Sequence, residues 1–303
     1  MKRMMAFFLV LLCCSISYAE NFDRLVFFGD SLSDNGNLYE VMSKLGSSIP
    51  PSPYFKGRFS NGPTWAEDLG ERFAKDFGSS YKIYAYGGST AASLNSFNTI
   101  APTLMSEQLD AYLQDESLLD HSKTLYLIWI GANDYLFEPN GNIEALTNAS
   151  VAYIAQAVNT LSIIGGRHFL ILDLPDLSKT PFAKEKNIGP QLYAFTQAHN
   201  QRLATVVNEL KLAHPESSIV LFHVSDSFKT LVDTPEVYNQ KYKITIRNTT
   251  DACWTGNVLD DQQPSDSSKN PEEYLFWDDV HPTAVIHQLL AQIVGDEIAK
   301  EWG

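Results

Sequence analysis

The chain has 303 residues, 44% of them hydrophobic and 12% aromatic, a composition that suits a folded globule and is too apolar for a disordered acidic chain. Its 22 Lys+Arg against 36 Asp+Glu leave a formal net charge of −14, the wrong sign for a nucleic-acid partner, whose phosphates need a basic footprint. Beyond the N-terminus the apolar runs, such as residues 125–130, are too short to span a bilayer.

Lys2 and Arg3 precede an apolar stretch over residues 4–14, and Ser17-Tyr18-Ala19 then offers small residues where a leader peptidase reads them. This pattern predicts a secretory signal peptide over residues 1–19, cleaved after Ala19. The exported part, 20–303, is expected as one domain. Lys2 and Arg3 leave with the leader and no acid does, so the net charge becomes −16. Cys13 and Cys14 leave too, which makes Cys253 the last cysteine and rules out an intrachain disulfide. A core large enough to replace such a staple is available at this length.

Short apolar runs predict strands over residues 25–28, 81–85, 125–130, 169–172 and 219–222. The third reads Leu-Tyr-Leu-Ile-Trp-Ile without polar alternation, as expected for a strand covered on both faces. Helical periodicity fills the intervals, most clearly over 192–210 and in the segment that follows Pro282, where the proline suits a first turn. Residues 235–271 are more polar, contain the run Asp260-Asp261-Gln262-Gln263, and read as a long loop excursion. Strands alternating with helices imply an α/β fold, a mainly parallel sheet with helices on both faces. Ligands in such sheets bind at the carboxyl ends of the strands.

The strand exits are where the chemistry-bearing residues lie. Gly29-Asp30-Ser31 puts a serine directly after the first strand, and Asp278-Asp279-Val280-His281 puts a carboxylate three residues before a histidine. A serine hydroxyl attacks poorly until a base takes its proton, and an imidazole does this best when a carboxylate orients its other nitrogen. Gly88 and Asn133 follow the second and third strands, where a backbone N–H and a side-chain amide can face an oxyanion. Asp279 is expected to favour the N-terminus of the helix opening at Pro282.

With Gly29-Asp30-Ser31-Leu32, Gly88, Gly131-Ala132-Asn133-Asp134 and Asp278-x-x-His281 in this order over nearly the whole mature chain, the sequence resembles the GDSL, or SGNH, hydrolase family. Ser33-Asp34-Asn35-Gly36-Asn37, the stretch from Tyr54 to Pro63, and Tyr274-Leu275-Phe276-Trp277-Asp278 are similar to its secreted bacterial lipases, lysophospholipases and glycerophospholipid:cholesterol acyltransferases. The resemblance implies a flavodoxin-like three-layer sandwich around a five-stranded parallel sheet. It implies Ser31 as nucleophile, His281 as base, Asp278 as the orienting acid, and an oxyanion hole from Ser31, Gly88 and Asn133. It implies no metal or cofactor, a phospholipid or lysophospholipid substrate, and a sterol as a second acyl acceptor. Ile83 stands where relatives carry Asn, and the second cysteine of their loop disulfide is replaced within Ser267-Ser268-Lys269.

Two other readings use the same residues: a carbohydrate acetyl esterase on the same fold, and a secreted binding protein that kept the scaffold without activity. A calcium loop at 30–36 is disfavoured by Leu32 at a ligand position, and a metal on Asp278, Asp279 and His281 lacks a second ligand cluster. Tyr54, Phe55 and Phe59 are expected to contact acyl chains or to pack under a loop. The six other histidines are assigned no chemistry.

Overall fold

A computed structural model describes residues 22–93, 97, 99–116, 119–256, 258 and 269–303. The predicted leader and the Asp260-Asp261 run lie outside the described residues. The five apolar runs form strands β1 (Arg24–Gly29), β2 (Ser80–Ile83), β3 (Thr124–Trp129), β4 (His168–Leu172) and β5 (Ser218–Phe222). All pair in parallel, in the order β2-β1-β3-β4-β5. That is the flavodoxin-like order, with its switch point between β1 and β3.

Helices make the crossovers. They are α1 (Asn37–Lys44) and α2 (Trp65–Phe77) between β1 and β2, α3 (Met105–Asp115) before β3, and α4 (Ala132–Leu136) and α5 (Ile143–Ile163) after it. Then come α6 (Pro181–Glu185), α7 (Gly189–Ala213), α8 (Val224–Asp233), α9 (Pro235–Tyr242) and the C-terminal α10 (Ala284–Trp302). Successive strand residues point to opposite faces. On one face Leu25, Phe27 and Leu127 pack with Trp65 and Leu69 of α2 and Val294 of α10. On the other, Val26, Phe28 and Ile128 pack with Tyr112 of α3, Ile154 of α5 and Leu203 of α7. Every residue of β3 is buried, as its unbroken apolar sequence requires.

Two expectations need correction. The stretch 235–271 is not loop throughout, because it holds α9 and a strand, β6 (Asn248–Ala252), which pairs in parallel with β7 (Tyr274–Phe276) as a separate two-stranded sheet. Pro282 does not lie in the first turn of the C-terminal helix. Thr283 is the N-cap and the helix starts at Ala284, while Pro282 bridges back to Phe276.

Candidate active site

The β1–β3 switch point brings Ser31, Asn133 and His281 to one place. Gly29 ends β1 against β3 so closely that a Cβ there would stand 2.7 Å from the Trp129 carbonyl oxygen. The chain then turns, with Ser33 and Asp34 N–H both donating to the Asp30 carbonyl at 3.0 Å, and Ser31 projects from the turn while remaining 7% exposed. His281 Nε2 lies 2.8 Å from Ser31 Oγ, and its Nδ1 lies 2.7 Å from Asp278 Oδ2. With Nδ1–H donating to the carboxylate, Nε2 is left as acceptor and the Ser31 hydroxyl donates to it. This is the arrangement in which a serine can be activated.

Local sequence makes the Asp-x-x-His turn. Asp278 Oδ1 accepts the N–H groups of Val280 at 2.9 Å and His281 at 2.6 Å, so the carboxylate that holds the ring also folds the turn carrying it. Burial alone would raise the pKa of Asp278, but the His281 charge and the hydrogen bonds from His281 and Tyr54 outweigh it and hold the carboxyl below its ordinary value. Burial alone would also discharge His281. Asp278, helped by Asp279 and Asp30, outweighs that effect and holds the imidazole above its ordinary value.

Buried polar side chains tie the neighbouring exits to this turn. Asp34 accepts N–H bonds from Gly36, Asn37, Leu38 and, across to the exit of β2, Gly87 at 2.7 Å. Asp134 accepts from Ala91 at 2.7 Å and from Ala92 and Ser93 at 2.9 Å, which holds the same loop against α4. Gln108 of α3 accepts from Gly29 N–H at 3.0 Å and donates to the Gly29 carbonyl at 2.8 Å and to Ser89 Oγ at 3.0 Å. Gly88 itself has φ +73°, a left-handed conformation that glycine adopts without strain. Asn133 Nδ2 donates to the Ser89 carbonyl at 2.8 Å, and Ser31, Gly88, Asn133 and His281 line one cleft.

Residues 25–294 match the family model for the GDSL-like lipase/acylhydrolases. The chain belongs to that family. Among individual relatives it is 29% identical to a phosphatidylcholine-sterol acyltransferase of Aeromonas hydrophila, with 100% of this chain and 98% of that protein covered. It is 30% identical to the secreted effector protein SseJ of Salmonella typhimurium and 26% identical to the thermolabile hemolysin of Vibrio parahaemolyticus. Those matches cover 92% and 90% of this chain but only 64% and 63% of the relatives, so the chain spans a little under two thirds of each.

In this member of the GDSL-like family the stretch 54–61 does something the sequence did not disclose. Tyr54 Oη donates to Asp278 Oδ2 at 2.5 Å, onto the same oxygen that receives His281. Its ring is boxed by Trp254, Trp277 and Phe59. Phe59 lies against the His281 ring, with centroids 5.3 Å apart. Ser60 Oγ donates to the Pro282 carbonyl at 2.8 Å, and Asn61 Oδ1 accepts the Ala284 N–H at 2.8 Å where α10 begins. Arg58 pairs with Glu67 and so anchors the stretch to α2. These residues cradle the Asp-His turn, so Tyr54 belongs to the site through Asp278 and not through an acyl chain.

Asp279 also departs from expectation. It stands five residues before α10, beyond the first-turn reach of a helix dipole. Its carbonyl accepts the Phe182 N–H at 2.8 Å, and burial with the neighbouring Asp278 charge raises its carboxyl. A second Ser-His-Asp grouping joins the exits of β4 and β5, but there the Ser225 hydroxyl donates to Asp173 at 2.7 Å and His223 contacts the same carboxylate. Among the described residues the partner of that hydroxyl is the carboxylate and not the imidazole.

Proposed function

We propose that the protein is a serine acyl-ester hydrolase acting on lipids, a phospholipase A or lysophospholipase A that also passes acyl groups to a sterol. The observation carrying this reading is the chain of contacts from Ser31 through His281 to Asp278, opening onto walls that are mostly apolar. Ser31 Oγ attacks the ester carbonyl as His281 Nε2 takes its proton. The new negative charge on the carbonyl oxygen is held by the Ser31 and Gly88 N–H groups and the Asn133 amide. The ester C–O bond breaks, His281 returns the proton to the leaving alcohol, and Ser31 carries the acyl group. Water, or a sterol hydroxyl, then attacks with the same proton transfers reversed. The similarity to a phosphatidylcholine-sterol acyltransferase over nearly its full length supports the sterol acceptor. We further propose export with residues 1–19 removed, for which recovered mature protein should begin at Glu20.

The experiment is turnover of p-nitrophenyl esters from acetyl to palmitoyl, and of lysophosphatidylcholine with and without cholesterol. Activity that rises with acyl length, with fatty acid released from the lipid and cholesteryl ester formed when sterol is present, is expected. Turnover confined to acetyl esters would support a carbohydrate esterase, and none at all would support a binding protein.

A further inference from the structure

Two cavities meet at Ser31. One is the cleft described above, whose outer walls are Phe59, Phe97, Phe137, Phe182 and Val258. The other runs inward from Ser31, Asn133 and His281 between α8 and α10, walled by Phe228 and Leu231 on one side and Ile286, Leu289 and Ile293 on the other. The inner slot is the smaller, about 80 Å³ against about 340 Å³ for the cleft. We propose that the inner slot receives the acyl chain of the substrate ester, and that the cleft receives the alcohol half and later the attacking acceptor. This rests on the hydrolase reading above and deepens it.

Three observations support the assignment. The slot is the smaller of the two and its walls from α8 and α10 are apolar, whereas the cleft offers more room and its residue Phe137 is 52% exposed. Polar side chains on the slot wall are tied to neighbouring groups: Asp30 Oδ1 accepts the Leu32 N–H, His287 Nδ1 accepts the Trp65 N–H while burial pushes its pKa down to about 3, and Asp176 takes the Ser178 N–H and hydroxyl. A wall of this kind rewards each methylene drawn from water by about fourfold in affinity or rate. Finally, the acyl group stays on Ser31 between the two half-reactions, while the alcohol must leave and an acceptor arrive. The moiety that exchanges therefore needs the roomier side, and the one that waits can sit in the smaller one.

The test crosses two substrate series with variants on each side. Leu289→Trp should block the slot and lower the kcat/KM ratio of dodecanoyl over butanoyl p-nitrophenyl ester at least tenfold. Leu231→Ala should open it and move the maximum to longer chains, which keeps the test alive if the tryptophan variant misfolds. Phe137→Ala, on the cleft, should change the ranking of butanoate esters that differ in their alcohol. Folded slot variants, labelled normally at Ser31 by an alkyl fluorophosphonate, whose chain-length profile matches the parent would overturn the assignment. So would a profile that moves with Phe137→Ala instead. A parent protein that hydrolyses no ester and takes no label fails the hydrolase reading as well. Ordinary turnover with an indifferent slot fails this inference alone.

Discussion

At the scale of single residues, the site depends on how Asp278 divides its two oxygens. Oδ1 closes the turn through two backbone N–H groups, and Oδ2 is shared by His281 and Tyr54. His281 accepts a proton only when neutral, and its pKa is held above the ordinary 6.5. Activity should therefore be lost as pH falls through a value above 6.5. Tyr54→Phe removes a donor that neutralises part of the Asp278 charge, which leaves the carboxylate with a firmer hold on the imidazolium. A pH profile of kcat/KM should show the acid limb displaced upward and the plateau about tenfold lower, the scale of one hydrogen bond to a charged group. Packing loss alone would lower the plateau without moving the limb.

Asp278→Asn should cut kcat by on the order of 10⁴, as in the best-studied serine triad, because the amide favours the wrong tautomer. Asp279→Asn should behave oppositely to a lost helix cap. Its carboxyl is raised in the folded state, so the ionised form costs stability at any pH above its unfolded pKa, and the neutral amide removes that cost. Thermal midpoints at pH 7 should show Asp279→Asn at or above the parent, with the acid limb displaced downward. Asp278 and His281 could be read from sequence because three residues in a turn place them together. Tyr54 could not, since it meets Asp278 across 224 residues and no spacing rule connects them.

Among the elements, the exits of β1, β2 and β3 are joined by Asp34, Gln108 and Asp134, and this joining sets the distance between the serine and the amide donors. Gln108→Leu keeps the volume but strands the Gly29 N–H and carbonyl in a dry interior, at roughly 1–3 kcal/mol for each buried group left unpaired. Calorimetry should record a lower midpoint, and kcat should fall more than KM rises, because the displaced turn carries Ser31. The five parallel strands were legible because strands buried on both faces must be unbroken apolar runs. The region around 235–271 was not. Helix α9 fully buries none of its residues and rests on the core through Tyr238 and Tyr242, too short a stripe to read, while β6, Asn-Thr-Thr-Asp-Ala, is half exposed in a two-stranded sheet and need not alternate. The start of α10 was misplaced because its first N–H is met by Asn61, a partner distant in sequence, and not by a local cap.

For the whole molecule, a five-stranded parallel sheet flanked by two helical layers leaves a crevice at its carboxyl edge, and the candidate residues gather there from both ends of the chain. Their order along the sequence revealed the family. The two cavities that diverge from Ser31 were hidden, because each wall is assembled from elements far apart in sequence. The central claim, that Ser31 is the acyl-carrying nucleophile, is tested most directly by intact mass and peptide mapping after reaction with a dodecyl fluorophosphonate. The expected result is one adduct, on Ser31, with loss of ester turnover in step with labelling, and neither label nor turnover in Ser31→Ala. An adduct mapped to another residue, or a Ser31→Ala variant that still hydrolyses esters at an appreciable rate, would contradict it.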